Sequence, residues 1–187
     1  MAKTLISTPL DITTSDSAVA TADVTSGITS SYSVYEFHFV NLHPADNGVA
    51  FQFQVNDSGD EGGGYDESAI TSTHIQNYQN EAGTDNNIAY SGGNDSAQST
   101  SFVNLFQGQV NGNDSSGSGI FTLYDPSSTT YIKHWIGRFS FHNSDPHYAT
   151  DASTAGYIND ATAITQIRFK FSSGNIDAGT IKMFGVA

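Results

Sequence analysis

Five carboxylates crowd one short stretch of this sequence, Asp57, Asp60, Glu61, Asp66 and Glu67, with Gly59 and Gly62-Gly63-Gly64 between them. Hard cations take several oxygen ligands from a flexible loop, so calcium is the ion such a stretch is able to hold. The spacing does not specify it, because Ser58 and Gly59 break the calcium-loop pattern after Asp57. The competing reading is a solvated loop or a contact between subunits. No metal site is assigned here and no cofactor is expected.

Paired carboxylates also hydrolyse glycosides when two of them are held several ångströms apart across the sugar. The glutamates are Glu36, Glu61, Glu67 and Glu81. Glu36 stands out because the pattern around it predicts a strand on which it shares a face with His38; a hydrogen-bonded surface patch is the expected role of that pair. The remaining histidines define no zinc site: His134, His142 and His147 follow one another at eight and five residues, and His43 lies five after His38, with no H-E-x-x-H among them. Gly117-Ser118-Gly119 lacks the spacing of a nucleophile elbow, and no phosphate-cradling glycine loop ends in Lys. No catalytic residue is assigned, and the expectation is a protein that is not an enzyme.

Aromatic side chains that stack on sugar rings remain to be weighed: Tyr65, Tyr90, Tyr124, Tyr148, Tyr157 and Trp135. Tyr65 and Tyr90 lie in polar stretches and, with neighbouring Asp66 and Asn94, make the candidate glycan contact. Against this stands the reading in which these rings anchor loops onto a folded body, especially Trp135 within an apolar strand pattern.

The elements that must position these groups are strands. Tyr35-Glu36-Phe37-His38-Phe39 alternates at a period of two, and Val49, Phe51, Phe53 and Val55 repeat the pattern after a turn-rich interval, which predicts an antiparallel pair with one face on a core. Further strands are predicted near 17–24, 70–78, 101–107, 120–124, 131–141, 164–171 and 180–186. In 131–141, Tyr131, Lys133, Trp135, Phe139 and Phe141 share one side, against Ile132, His134, Ile136, Arg138 and Ser140. Both sides are partly apolar, so this strand is expected to lie centrally, with its second face covered by a loop or a neighbouring subunit. Many strands joined by Gly, Asn, Asp and Ser turns predict an all-β fold, an antiparallel two-sheet sandwich of jelly-roll type, with an immunoglobulin-like sandwich as competitor. The polar stretches 57–65, 91–101 and 111–119 would be its long connections, and a helical turn near 160–163 or 72–81 is compatible with it. Residues 1–16 read as an N-terminal arm or edge segment and 17–187 as a single sandwich domain.

Composition narrows the partners. The 187 residues carry 19 acidic and 6 basic side chains, a formal net charge of −13, and the basic ones are scattered, which excludes a grip on nucleic acid. Hydrophobic types reach 37% of the chain, with 12 Phe and 9 Tyr, enough to build a core. There is no Cys, hence no disulfide and no thiolate site. The first residues lack the apolar core of a signal peptide, and no apolar run is long enough to span a membrane, so synthesis in a cytoplasm without membrane insertion is expected.

Ile167-Arg168-Phe169-Lys170-Phe171, the turn Ser173-Gly174-Asn175 and Ile181-Lys182-Met183-Phe184-Gly185-Val186 resemble a closing hairpin of virion-associated proteins of tailed phages, notably marine cyanophages. Phe39-Val40-Asn41-Leu42 and Phe51-Gln52-Phe53-Gln54-Val55-Asn56 resemble the opening hairpin of the same group. About a quarter of the chain carries the resemblance directly. It implies a non-enzymatic structural protein located on the virion, as capsid decoration, knob, fibre or tail component. Its implied partners are other virion proteins and copies of itself, as a trimer or larger ring. An acidic exterior that avoids DNA suits such a component. In that reading Leu5, Ile6, Leu10 and Ile12 attach the N-terminal segment to a partner. The alternative is a receptor- or carbohydrate-binding module contacting host-surface glycans, and a third reading is a polysaccharide-cleaving enzyme using Glu36.

Overall fold

The computed structural model describes residues 2–59, 65, 68–143 and 148–187, and no helix occurs among them. Thirteen strands follow in chain order: β1 (Lys3–Ile12), β2 (Ala22–Val24), β3 (Val34–Pro44), β4 (Val49–Asp57), β5 (Ile70–Asn80), β6 (Asn86–Tyr90), β7 (Ser96–Ser99), β8 (Val103–Gln109), β9 (Gly117–Tyr124), β10 (Lys133–Asn143), β11 (Tyr148–Ile158), β12 (Ile164–Phe171) and β13 (Ile176–Val186). All strand pairs are antiparallel.

The pairing defines two layers. The short sheet runs β2-β12-β4-β8, and the long sheet runs β1-β13-β3-β9-β10-β11-β5, with β6 and β7 following each other along the outer edge of β5. One pair, Asn143 with Gln109, links the layers at a corner between β10 and β8. Strands β1-β13-β3-β9 over β2-β12-β4-β8 have the order of a jelly roll, in which successive strands alternate between sheets. The insertions β5 to β7 and β10 to β11 widen the first layer beyond the cover of the second. The corner requires Gly108, whose φ of +94° is open to glycine and whose missing Cβ would collide with the Asn143 side chain.

This topology corrects both expected hairpins. β3 does not pair with β4, nor β12 with β13. Alternation fixes which face of a strand is buried but not which strand lies beside it. In each case the intervening turn carries the chain from one layer to the other, and the apolar faces meet across the core instead of side by side. Ring contacts record this: Phe39 of β3 lies 5.5 Å from Phe51 of β4, Phe37 of β3 lies 5.3 Å from Phe169 of β12, and Phe53 of β4 lies 5.0 Å from Trp135 of β10. Such aromatic pairs add to the stabilisation of the area they bury and fill the space between the layers. Within the stretch 72–81, compatible with a helical turn by sequence, residues 72–80 belong to β5, and 160–163 is irregular.

β10 lies centrally, with Lys133, Trp135, Phe139 and Phe141 facing inward and His134, Ile136, Arg138 and Ser140 outward; Tyr131 precedes the strand and is exposed. Lys133 is fully buried, and its ammonium donates to the carbonyls of Asp160 and Thr162, tying the connection before β12 to the core. Burial drives its pKa below the ordinary lysine value, although Asp160, Asp125 and Asp57 oppose the change. Residues 3–12 form an edge strand rather than a detached arm, paired with β13.

Candidate functional site

The four residues expected to make an attachment surface are divided by β1. Leu10 is 5% exposed and belongs to the core, Ile6 and Ile12 pack against that core, and only Leu5, 52% exposed, faces outward. Their apolar character reflects packing of an edge strand, so attachment through all four would require β1 to leave the sheet.

Among the acidic loop residues, Asp60, Glu61, Asp66 and Glu67 lie outside the described residues, as does His147. Asp57 accepts a hydrogen bond from the Gly59 backbone at 2.6 Å. Among the described residues no three His, Asp or Glu side chains converge as a metal site would need.

Glu36 sits on the outer face of β3. Its Oε2 accepts hydrogen bonds from the Lys3 ammonium at 2.6 Å and meets His38 Nε2 at 2.8 Å. Partial burial pushes its pKa up, but the Lys3 and His38 hydrogen bonds and charges outweigh that and hold it below the ordinary glutamate value. A glycosidic general acid needs the opposite shift. Ser115 Oγ lies 2.7 Å from His142 Nδ1, yet Ser115 is buried and its backbone closes a turn on Gly112, so the contact fastens loop 110–116 to β10. His43 does similar work from β3, reaching Asp177 at 3.2 Å and the Gly112 carbonyl at 3.1 Å.

The aromatic candidates separate. Tyr65 is only 7% exposed; its ring covers the Arg168 guanidinium at 4.3 Å and its hydroxyl donates to Gln166 at 3.0 Å. Arg168 also donates twice to Asp23, at 2.7 and 2.6 Å, binding β12 to β2. Tyr65 is therefore part of the cover of the short sheet. Asn94 is buried, donating to Ser91 Oγ and accepting from Asn104, which in turn accepts from Gln52. Tyr90, 56% exposed, ends β6 at the far edge of the long sheet and donates to Asp95 at 2.5 Å. Trp135 is buried in the core, as its strand pattern implied.

What the fold brings together is a groove that the sequence did not assemble. Most inward side chains of β5 and β11 are buried, His74, Asn80, Thr150 and Ala152 among them, but around Gln76, Tyr78 and Tyr148, and across to β6, the inner face is only partly covered. It forms a hollow of about 350 Å³ lined by Gln76, Tyr78, Asn87, Ala89, Tyr90, Ser91, Asn143 and Tyr148. The register dictates this: Gln76 pairs with Ala89 and Tyr78 with Asn87 across β5 and β6, while Tyr78 opposes Thr150 and Asn80 opposes Tyr148 across β5 and β11. The Tyr78 and Tyr148 rings lie edge to face at 5.0 Å, and the Tyr148 hydroxyl donates to Asp85 at 2.8 Å. Hydrogen bonding to these carboxylates raises the pKa of Tyr90 and Tyr148, which keeps both hydroxyls protonated. Tyr148 also borders a second hollow of about 640 Å³ that includes Glu81, Asp114, Ser116 and His142. Alternation at Gln76, Tyr78 and Asn80 was the available signal for one shared face. Nothing in the sequence marks the part of this face around Gln76 and Tyr78 that stays open.

No protein-family model, curated protein or solved structure matches the chain.

Proposed function

We propose that the chain is a non-enzymatic structural protein of a tailed-phage particle, built into it through the outer face of the long sheet and acting beside other virion proteins and copies of itself. The observation that carries this reading is the character of that face. Register places Ile136 between Thr122 and Ala155, Ile120 between His38 and Arg138, and Ile75 between Ser153 and Tyr90, and all three isoleucines are exposed. Two of the carboxylates there are ion-paired, Glu36 with Lys3 and His38, and Asp151 with Arg138 at 3.0 Å, and Asp11 accepts the Thr180 hydroxyl. Exposed isoleucines with balanced charge, on a chain whose net charge is −13, favour contact with protein over solvent. The sequence resemblance to virion-associated proteins points the same way, and the jelly roll is an architecture that capsid components share with other proteins.

The test is incorporation. In particles purified from the phage that encodes the chain, the wild-type protein is expected to co-sediment with capsids or tails. The Ile120→Asp/Ile136→Asp variant is expected to melt as a folded protein yet be missing from them. Normal incorporation of the variant removes this face from the account, and absence of the wild-type chain from particles removes the structural role.

A further inference from the structure

We propose that the groove on the overhanging inner face of β5, β6 and β11 is a binding site for a neutral oligosaccharide, with Tyr78 and Tyr148 as its stacking platform and Gln76 and Asn87 as its hydrogen-bonding groups. The proposal does not depend on where, or whether, the chain sits on a particle.

Four observations converge. The first is concavity: the hollow of about 350 Å³ lies over the inner face of the sheet and falls in the size range of small-ligand sites. The second is the pairing of surfaces. Pyranose rings present apolar C–H faces and polar edges, and the groove offers partly exposed tyrosine rings beside side-chain amides, each amide being both donor and acceptor.

The third is that the rings are held. Tyr148 is fixed by its bond to Asp85 and its contact with Tyr78, and Tyr78 stands on a strand paired along its whole length with β11, so little ordering is left for binding to impose. By contrast the amides are available. Gln76 makes no side-chain hydrogen bond among the described residues, and Asn87 uses only its Oδ1, accepting from the Ile88 backbone at 2.8 Å, which leaves its NH₂ to donate.

The fourth is charge, which selects the sugar. Asp85 and Asp95 accept from the hydroxyls of Tyr148 and Tyr90, and no Lys or Arg lines the hollow. Uronic acids, sialic acids, sulfated sugars and phosphate-bearing polymers would meet uncompensated negative potential there. Neutral hexose polymers would not, and their hydroxyls can donate to the same carboxylates.

The experiment is a titration of the full-length chain, followed by amide NMR and calorimetry, with malto-, cello- and mannohexaose against hexagalacturonate as the acidic control. At least one neutral hexasaccharide is expected to bind and to shift amides of β5, β6 and β11 selectively. Tyr78→Ala is expected to weaken that binding at least about tenfold, while Gln76→Ala weakens it about threefold and leaves the fold undisturbed. Tyr148→Phe, which keeps the ring and loses the bond to Asp85, is expected to retain most of the affinity. Should Tyr78→Ala fail to fold, Gln76→Ala and the map of shifted amides decide. Absence of binding by all neutral oligomers, preference for the galacturonate, shifts confined to other strands, or affinity unchanged by Gln76→Ala in a chain whose Tyr78→Ala form is also unaffected would each overturn the proposal.

Discussion

His74 turns the polar interior of this sandwich into a measurable pH dependence. Its ring is completely buried on the inner face of β5, and neither ring nitrogen makes a well-formed hydrogen bond. Burial lowers its pKa below the ordinary imidazole value of 6.5, while the Asn104 backbone and the Asp95 carboxylate pull weakly the other way. The native state therefore refuses a proton that the unfolded chain accepts. Stability from this source is complete above about pH 6.5 and falls as the pH drops toward the native value, by at most about 1.4 kcal/mol per unit. The carboxylates held below their ordinary values, Glu36, Asp16, Asp151 and Asp160, lose their contribution only in a more acidic window. His74→Leu removes the group at similar volume and leaves every other histidine in place, so the difference between the two proteins isolates it. Urea unfolding at a series of pH values is the assay. The variant is expected to gain on the wild type steadily as the pH falls below about 6.5. Parallel curves, or a wild type that gains on acidification, would refute the reasoning.

Two further perturbations test the packing. Phe169 contacts Phe37, Phe39, Phe51 and Phe121 at ring separations of 5.3, 5.0, 6.0 and 6.1 Å, and is fully buried between the layers. Phe169→Ala is expected to cost about 3–5 kcal/mol in urea unfolding, and a loss under about 1 kcal/mol would mean that the layers do not meet there. Deleting residues 2–16 removes Leu10 from the core, uncovers the contacts of Ile6 and Ile12 and leaves β13 as a bare edge. A loss of at least about 3 kcal/mol, or roughly 6–12 °C in Tm, is expected, whereas an unchanged melting curve would make the segment an appendage.

Much of the architecture was legible because the large apolar residues alternate. Phe51 with Phe53, Ile167 with Phe169 and Phe171, and Trp135 with Phe139 each declared a strand and its buried face. β11 was hidden by its composition: its inward residues are Thr150, Ala152 and Thr154, small side chains without an apolar rhythm. Gly156 on the same strand is needed because a Cβ would press on Trp135 at 2.9 Å and on the backbone of β5. β6 and β7 are short and polar, and β1 breaks its alternation at Leu5-Ile6 and carries Pro9, so these edges left no clear period. The pairing itself was beyond reach of local pattern, since neighbours in a jelly roll are distant in sequence. That is also why the groove went unseen: Tyr78 and Tyr148 are 70 residues apart in the chain and meet only through the β5–β11 ladder. The lysine at 133 read as one polar position in an apolar face, and only the structure supplies the two carbonyls that receive its ammonium.

The measurement that bears most directly on the account is electron cryomicroscopy of the intact phage particle at a resolution that separates strands. The account predicts two-layered density of this jelly roll on the particle, with the face bearing Ile75, Ile120 and Ile136 against a neighbouring protein or copy. Particles whose every protein density is assigned without this chain would contradict it.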